Sequence, residues 1–311
     1  MKIVITSPEY FDSGIQEKLK SLGSVVSRKM SREDLLKEVV DADILMIRVD
    51  TKVDSELLDK AKQLKVIASG TTGLNHIDVD YATKKGIKIF NPSGINTIAT
   101  AEHTIALILS LIRKIPWAFD SLKNAEWNRA KFFGRELNGK TLGLIGMGRI
   151  GSHVAKIAKS FGMSVVVFDP YINMGVAKSL DVQIVDLDYL LSHSDVISIH
   201  AALTPETENL LTLERFKKMK KGSILINAAR GKILNSNDLL TALKENIISG
   251  AAIDAVSDIL DEPIQKNHPL LVFARENSNL LLTPHIGGST EESVSNAGNI
   301  LANQILEYFG G

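Results

Sequence analysis

One hexapeptide, Gly146-Met147-Gly148-Arg149-Ile150-Gly151, restricts the fold of this chain more than any other feature. At this spacing the first glycine permits a tight turn, the second lets backbone approach a diphosphate, and the third lets a helix pack closely on a strand. Alone the motif is a weak signal, but its surroundings fit. The strand-like run Thr141-Leu142-Gly143-Leu144-Ile145 precedes it, and Ile150, Val154, Ile157, Ala158 and Phe161 follow at the spacing of one helix face. Strand, glycine turn and helix N-terminus form an anion cradle, because unpaired N–H groups and the helix dipole both point at it. A further strand-like run, 164–168, ends at Asp169. A carboxylate there can hold the adenosine ribose hydroxyls, and it would repel a 2′-phosphate with no adjacent arginine to offset it. NAD is therefore expected over NADP, with Gly146, Gly148, Gly151 and Asp169 as contacts.

The rest of the chain repeats this alternation. Apolar β-rich runs at 3–5, 44–47, 66–68 and 87–90 are separated by helical patterns near 14–22, 31–40, 54–62 and 78–85. Such alternation predicts an α/β fold with a parallel sheet covered by helices on both faces. Asn91-Pro92-Ser93-Gly94 interrupts it before a long helix, capped near Asn96 or Thr97, with apolar residues at Ile98, Ala101, Ile105, Ile108, Leu109 and Ile112. A second series of six runs follows, at 141–145, 164–168, 196–199, 223–226, 249–253 and 279–282, the number needed for a complete dinucleotide-binding sheet. A chain of 311 residues exceeds one ordinary core, so two domains are expected.

Composition excludes some functions. Lys plus Arg and Asp plus Glu number 36 each, so no net field gathers nucleic acid or an anionic membrane. Zero cysteines rule out disulfides, thiolate metal sites and a cysteine nucleophile, and suit a cytoplasmic location. The opening Met1-Lys2-Ile3-Val4-Ile5 reads as a strand rather than a leader, and the most apolar stretch, 105–112, is too short to span a bilayer. The seven histidines form no His-x-x-x-His pair, and no metal is expected.

Three residues capable of chemistry fall just after predicted strands, where open α/β sheets bind ligands: Arg230 in Asn227-Ala228-Ala229-Arg230-Gly231, Asp254, and His285 in Thr283-Pro284-His285. Singly, such an arginine is usually a surface ion pair and such a histidine a turn residue. Sharing an edge with a nucleotide motif changes that weighting. Nicotinamide chemistry on a hydroxy acid needs a fixed cation for the carboxylate and a proton carrier for the hydroxyl, and arginine and histidine are suited to these roles. A carboxylate beside the histidine would raise its pKa and fix its tautomer. Glu262 is the candidate, with Asp258 and Asp261 competing.

Together with Gly250-Ala251-Ala252-Ile253-Asp254 and Thr283-Pro284-His285-Ile286-Gly287-Gly288-Ser289-Thr290, these motifs resemble the D-isomer-specific 2-hydroxyacid dehydrogenases over essentially the whole chain. Trp127-Asn128-Arg129 with Phe132-Phe133-Gly134-Arg135-Glu136-Leu137-Asn138-Gly139-Lys140 looks most like the phosphoglycerate-oxidising branch. The resemblance implies a Rossmann NAD-binding domain over 96–283 and a flavodoxin-like substrate domain assembled discontinuously from 1–95 and 284–311, with hinges near Gly94 and Gly287-Gly288. It implies catalysis by Arg230, His285 and a glutamate. It further implies a substrate carboxylate on Thr71, Thr72 and Gly73, and cofactor contacts at Thr72, Arg149, Ile150, Ala201, Ala228, Asp254, His285, Gly287 and Gly288. The subunits are expected to pair as a homodimer through the nucleotide domain. No serine feedback is expected, since the chain stops where some relatives add regulatory domains.

Three departures from the family pattern stand out. Ile259 occupies the usual place of the glutamate, which comes three residues later as Glu262; His200-Ala201-Ala202 replaces His-Thr-Pro; and Thr71 stands where glycine is common. A phosphorylated substrate would need further cations, for which Arg48, Arg129 and Lys131 are available. Hydroxypyruvate or glyoxylate are the alternative substrates. A non-enzymatic, NAD-sensing corepressor is the reading from another class, disfavoured by the absence of a recruitment segment.

Overall fold

The structure is a computed structural model describing residues 1–256 and 266–310. Two compact units form, one from Met1–Asn96 with Ser289–Gly311, the other from Thr97–Gly288.

The first unit is built on five parallel strands: β1 (Lys2–Ile5), β2 (Ser24–Ser27), β3 (Ile44–Ile47), β4 (Val66–Ser69) and β5 (Lys88–Phe90), in the order β2-β1-β3-β4-β5. This is the flavodoxin-like order, reversing direction between β1 and β3. Successive residues of a strand point to opposite faces, so an all-apolar strand feeds two cores. Val4, Leu45, Ile47 and Ile67 pack with Leu57 and Leu58 on one face. Ile3, Ile5, Ile44, Met46, Val66 and Ala68 pack on the other with Phe11 and Ile15, and with Leu301, Ala302 and Ile305 of the closing helix Glu291–Gly310. That helix explains why the last residues of the chain belong to the first unit.

The second unit carries seven parallel strands: β6 (Thr141–Ile145), β7 (Ser164–Phe168), β8 (Gln183–Ile184), β9 (Val196–Ile199), β10 (Ile224–Asn227), β11 (Gly250–Ile253) and β12 (Leu280–Leu282), ordered β12-β11-β10-β9-β6-β7-β8. Numbered from β6 this is the Rossmann order 3-2-1-4-5-6 with a seventh strand added. Ile145, Ile197, Ile199, Leu225 and Ile253 face one core, and Leu142, Leu144, Val167, Ile224 and Ile226 the other. The fold is α/β with two doubly wound parallel sheets, as the alternation predicts.

The sequence reading needs two corrections. It misses β2 and β8, both edge strands, where short, part-exposed segments need no apolar run. On the long helix Thr97–Ile112, Ile98 is 57% exposed and lies off the buried face, whereas Leu107 and Leu111 are on it. Among the described residues no helix is long and apolar enough to cross a membrane.

Candidate active site

The glycine loop follows directly from β6. Gly146 turns the chain at φ 90°, and a Cβ there would lie 2.6 Å from the backbone nitrogen of Ala201. Gly151 brings the helix Arg149–Ser160 onto that turn, since a Cβ would lie 2.6 Å from the carbonyl oxygen of Gly146. Gly148 differs. A Cβ would meet nothing within 4 Å, and Gly148 caps the helix without any side-chain bond. The turn is thus closed on its protein side and open at the helix N-terminus, which fits a diphosphate approaching backbone N–H groups. Arg149 is exposed and Ile150 half-buried at the first two helical positions.

Asp169 stands one residue past β7. Its Oδ2 accepts from the Met147 N–H at 2.7 Å and its Oδ1 from the Tyr171 N–H at 2.8 Å. Each oxygen keeps a lone pair, so the loop orients the carboxylate while leaving it able to accept hydroxyl groups. His200, just after β9, sits against the same turn. Its N–H donates to the Ile145 carbonyl at 2.8 Å, its Nε2 lies 2.9 Å from Ser198 Oγ, and burial pushes its pKa down to about 4. Ala201 next to it closes the Gly146 turn.

Arg230 follows β10 on a braced corner. The buried Asn227 side chain donates through Nδ2 to the Arg230 carbonyl at 2.9 Å and accepts from the Ala229 N–H at 3.0 Å, with Ala228 buried between. The guanidinium donates through Nη1 to the Ala229 carbonyl at 2.8 Å, and among the described residues no carboxylate pairs with it. Burial lowers its pKa. Among the described residues, most of its donors are therefore uncommitted.

His285 follows β12 in the left-handed region, at φ 54°. Its N–H donates to the carbonyls of Asp254 and Thr283, each at 3.0 Å. Burial lowers the imidazole pKa; Asp254 opposes this and the Arg230 charge adds to it. Nδ1 is buried and lacks a partner among the described residues. Glu262, Asp258 and Asp261, the carboxylates expected to serve it, lie outside the described residues.

Asp254, at the end of β11, is 2% exposed and committed to the protein. Oδ1 accepts from Thr283 Oγ1 at 2.6 Å and the Ile286 N–H at 2.9 Å, and Oδ2 accepts from the Gly287 N–H at 2.9 Å. His103 Nε2 lies 3.3 Å from Oδ1. Burial raises the Asp254 pKa, but these donors outweigh it and hold the carboxyl below its usual range. The sequence does not reveal this contact, because no local spacing links a mid-helix histidine to a distant strand end.

In the first unit, Gly70, Thr71, Thr72 and Gly73 follow β4. No residue of the loop is left-handed, so threonine is tolerated at position 71. Thr71 Oγ1 donates to the Gly73 carbonyl at 2.9 Å and lies 2.8 Å from Ser69 Oγ, which is 3.1 Å from His76 Nε2. Thr72 donates through Oγ1 to Asn96 at 3.2 Å, and Asn91 Nδ2 donates to the Thr72 carbonyl at 3.2 Å. Arg48 follows β3 beside this loop, its guanidinium 4.0 Å from the Tyr10 ring centre, and its Cγ would lie 3.4 Å from a Cβ on Gly70. Arg129 and Lys131 sit on the exposed turn Arg129–Phe132 of the second unit.

Residues 105–287, more than half of the chain, match the model of the D-isomer specific 2-hydroxyacid dehydrogenase NAD binding domain. The chain is 42% identical to D-3-phosphoglycerate dehydrogenase of Methanocaldococcus jannaschii, with 100% of this chain and 58% of the relative aligned. It is 39% identical to a glyoxylate reductase of Thermofilum pendens, over 90% of this chain and 82% of that protein. The structure of Aquifex aeolicus D-lactate dehydrogenase complexed with NAD and lactic acid superposes with a TM-score of 0.87 at 32% identity, covering 100% of this chain and 96% of that one. The chain spans about half the length of the D-3-phosphoglycerate dehydrogenases it matches. The glycine loop, the Asp169 carboxylate, Arg230 and His285 are all carried by one Rossmann sheet, and the chain belongs to the D-isomer specific 2-hydroxyacid dehydrogenase family.

Proposed function

We propose that this protein is an NAD-dependent dehydrogenase of D-2-hydroxy acids, with D-3-phosphoglycerate as its preferred substrate. The observation that carries the reading is His285, held at the carboxyl edge of the Rossmann sheet within the electrostatic reach of Arg230, its buried Nδ1 lacking a described partner. A carboxylate on Nδ1 would leave Nε2 to handle a substrate proton, and Glu262 is proposed for that place. Gly146, Gly148, Arg149, Ile150 and Gly151 would hold the cofactor diphosphate, Asp169 its ribose, and Ala201, Ala228, Gly287 and Gly288 would line the nearby backbone. NAD, when bound, supplies the hydride acceptor. As the C2–H bond breaks with its electron pair, the hydroxyl proton passes to His285 Nε2, a C2=O bond forms, and Arg230 holds the carboxylate and the carbonyl oxygen. In the reverse direction protonated His285 returns that proton.

Arg48, Thr71, Thr72 and Gly73 are proposed as substrate contacts, Arg48 because a phosphate calls for a cation and this one sits beside the loop. A homodimer through the second unit is proposed from the aromatic surface at Phe119, Trp127 and Phe133, which are 66%, 78% and 80% exposed. The cytoplasm is the proposed compartment, since zero cysteines suit it. Purified protein with D-3-phosphoglycerate and NAD⁺, compared with hydroxypyruvate and glyoxylate and NADH, tests the substrate. A kcat/KM preference for phosphoglycerate that Arg48→Ala removes supports the reading. Preference for the unphosphorylated oxo acids, insensitive to Arg48, rejects phosphoglycerate as substrate.

A further inference from the structure

Among the described residues, the turn that carries His285 is held chiefly by Asp254. Thr283 Oγ1, the Ile286 N–H and the Gly287 N–H all donate to its carboxylate, and its carbonyl accepts the His285 N–H. The clamp is compact: a Cβ on Gly287 would come 3.0 Å from Asp254 Oδ2 and 3.4 Å from His103 Cδ2. Such tethering is needed because a non-glycine residue at φ 54° persists only when its surroundings over-determine it. A buried carboxylate can act as a tether only if it stays charged and fixed. His103, from the long helix Thr97–Ile112, approaches it from outside the turn, with Nε2 3.3 Å from Asp254 Oδ1 and 3.3 Å from Thr283 Oγ1. The side chains of His103 and Asp254 are 17% and 1% exposed, so water does little to replace this contact.

We propose that His103 is a positioning residue: through Asp254 and Thr283 it fixes the turn that aims the His285 imidazole. The inference rests on the dehydrogenase reading for its kinetic consequence, but its structural content does not. Aim matters because displacing a reacting group by about 1 Å costs as much as 10²-fold in rate. His103→Phe keeps the ring and removes the donor, whereas His103→Gln restores an N–H near Nε2.

The test combines kcat with hydroxypyruvate and NADH, NADH affinity from reduced-nicotinamide fluorescence, and hydrogen exchange at the Ile286 and Gly287 amides. For His103→Phe we expect kcat to fall about 10- to 10²-fold, NADH affinity to stay within about threefold, and the two amides to exchange at least about tenfold faster. His103→Gln should recover most of both effects. Thr283→Val, which removes another donor from the same carboxylate oxygen, should speed exchange at the same amides and carries the test if His103→Phe does not fold. Unchanged exchange overturns the proposal whatever the kinetics do, and so does a parallel loss of kcat and NADH affinity. If wild-type protein turns over no 2-oxo acid, the dehydrogenase reading fails, and the exchange rates alone decide the clamp.

Discussion

Asp169 and His200 flank the same glycine turn. At the end of β7 two backbone N–H groups orient the Asp169 carboxylate. Asp169→Ala should weaken NAD binding and reduce discrimination against NADP, read as the ratio of the two dissociation constants; an unchanged ratio would remove Asp169 from the ribose. His200 is half-buried, and desolvation holds its imidazole neutral with a pKa near 4 against an ordinary 6.5. A base whose folded pKa is depressed contributes stability that is complete above about pH 6.5 and is lost as pH falls toward 4, because the unfolded chain takes up the proton first. The span corresponds to roughly 3 kcal/mol. Urea unfolding from pH 7 to 4 should show this slope in wild-type protein and a shallower one in His200→Gln. Equal slopes would mean that His200 titrates normally. Arg230 and His285 were legible as candidates because each follows a strand in a chain with a nucleotide motif. The His103–Asp254 contact was not, because it joins a helix interior to a strand end with no spacing rule between them.

At the scale of elements, the buried strands were the readable ones. β3, β9 and β10 are buried along their whole length; β3 is apolar throughout, and β9 and β10 are apolar except for Ser198 and Asn227, since both faces of a central strand favour apolar side chains. β2 and β8 each pair on one side only, so their sequences carry no such demand and escape detection. The closing helix Glu291–Gly310 is amphipathic by sequence, but what it packs against follows only from the structure, where Leu301 and Ile305 complete the core beside Ile3 and Phe11. Ile305→Ala should therefore destabilise the first unit by about 2–5 kcal/mol, the usual range for emptying such a site. Chemical denaturation measures this. A loss below about 1 kcal/mol would mean that the helix is not integral to that core.

For the whole molecule, each unit places its candidate residues on the carboxyl edge of its own sheet, which is where strand order and loop placement allow ligand chemistry. Phe119, Trp127 and Phe133 are exposed on the second unit, and the proposed homodimer would cover them. Trp127→Ala with Phe133→Ala should shift the sedimentation coefficient from dimer to monomer at micromolar concentration. A wild-type monomer under the same conditions would reject the pairing. Proton transfer at His285 decides the proposed function. It is tested most directly by steady-state turnover of His285→Ala beside wild type, monitored by reduced-nicotinamide absorbance, with NADH affinity measured on the same preparations. The account predicts a kcat lower by about 10²–10⁴ with NADH affinity nearly intact; a variant that turns over at the wild-type rate would contradict it.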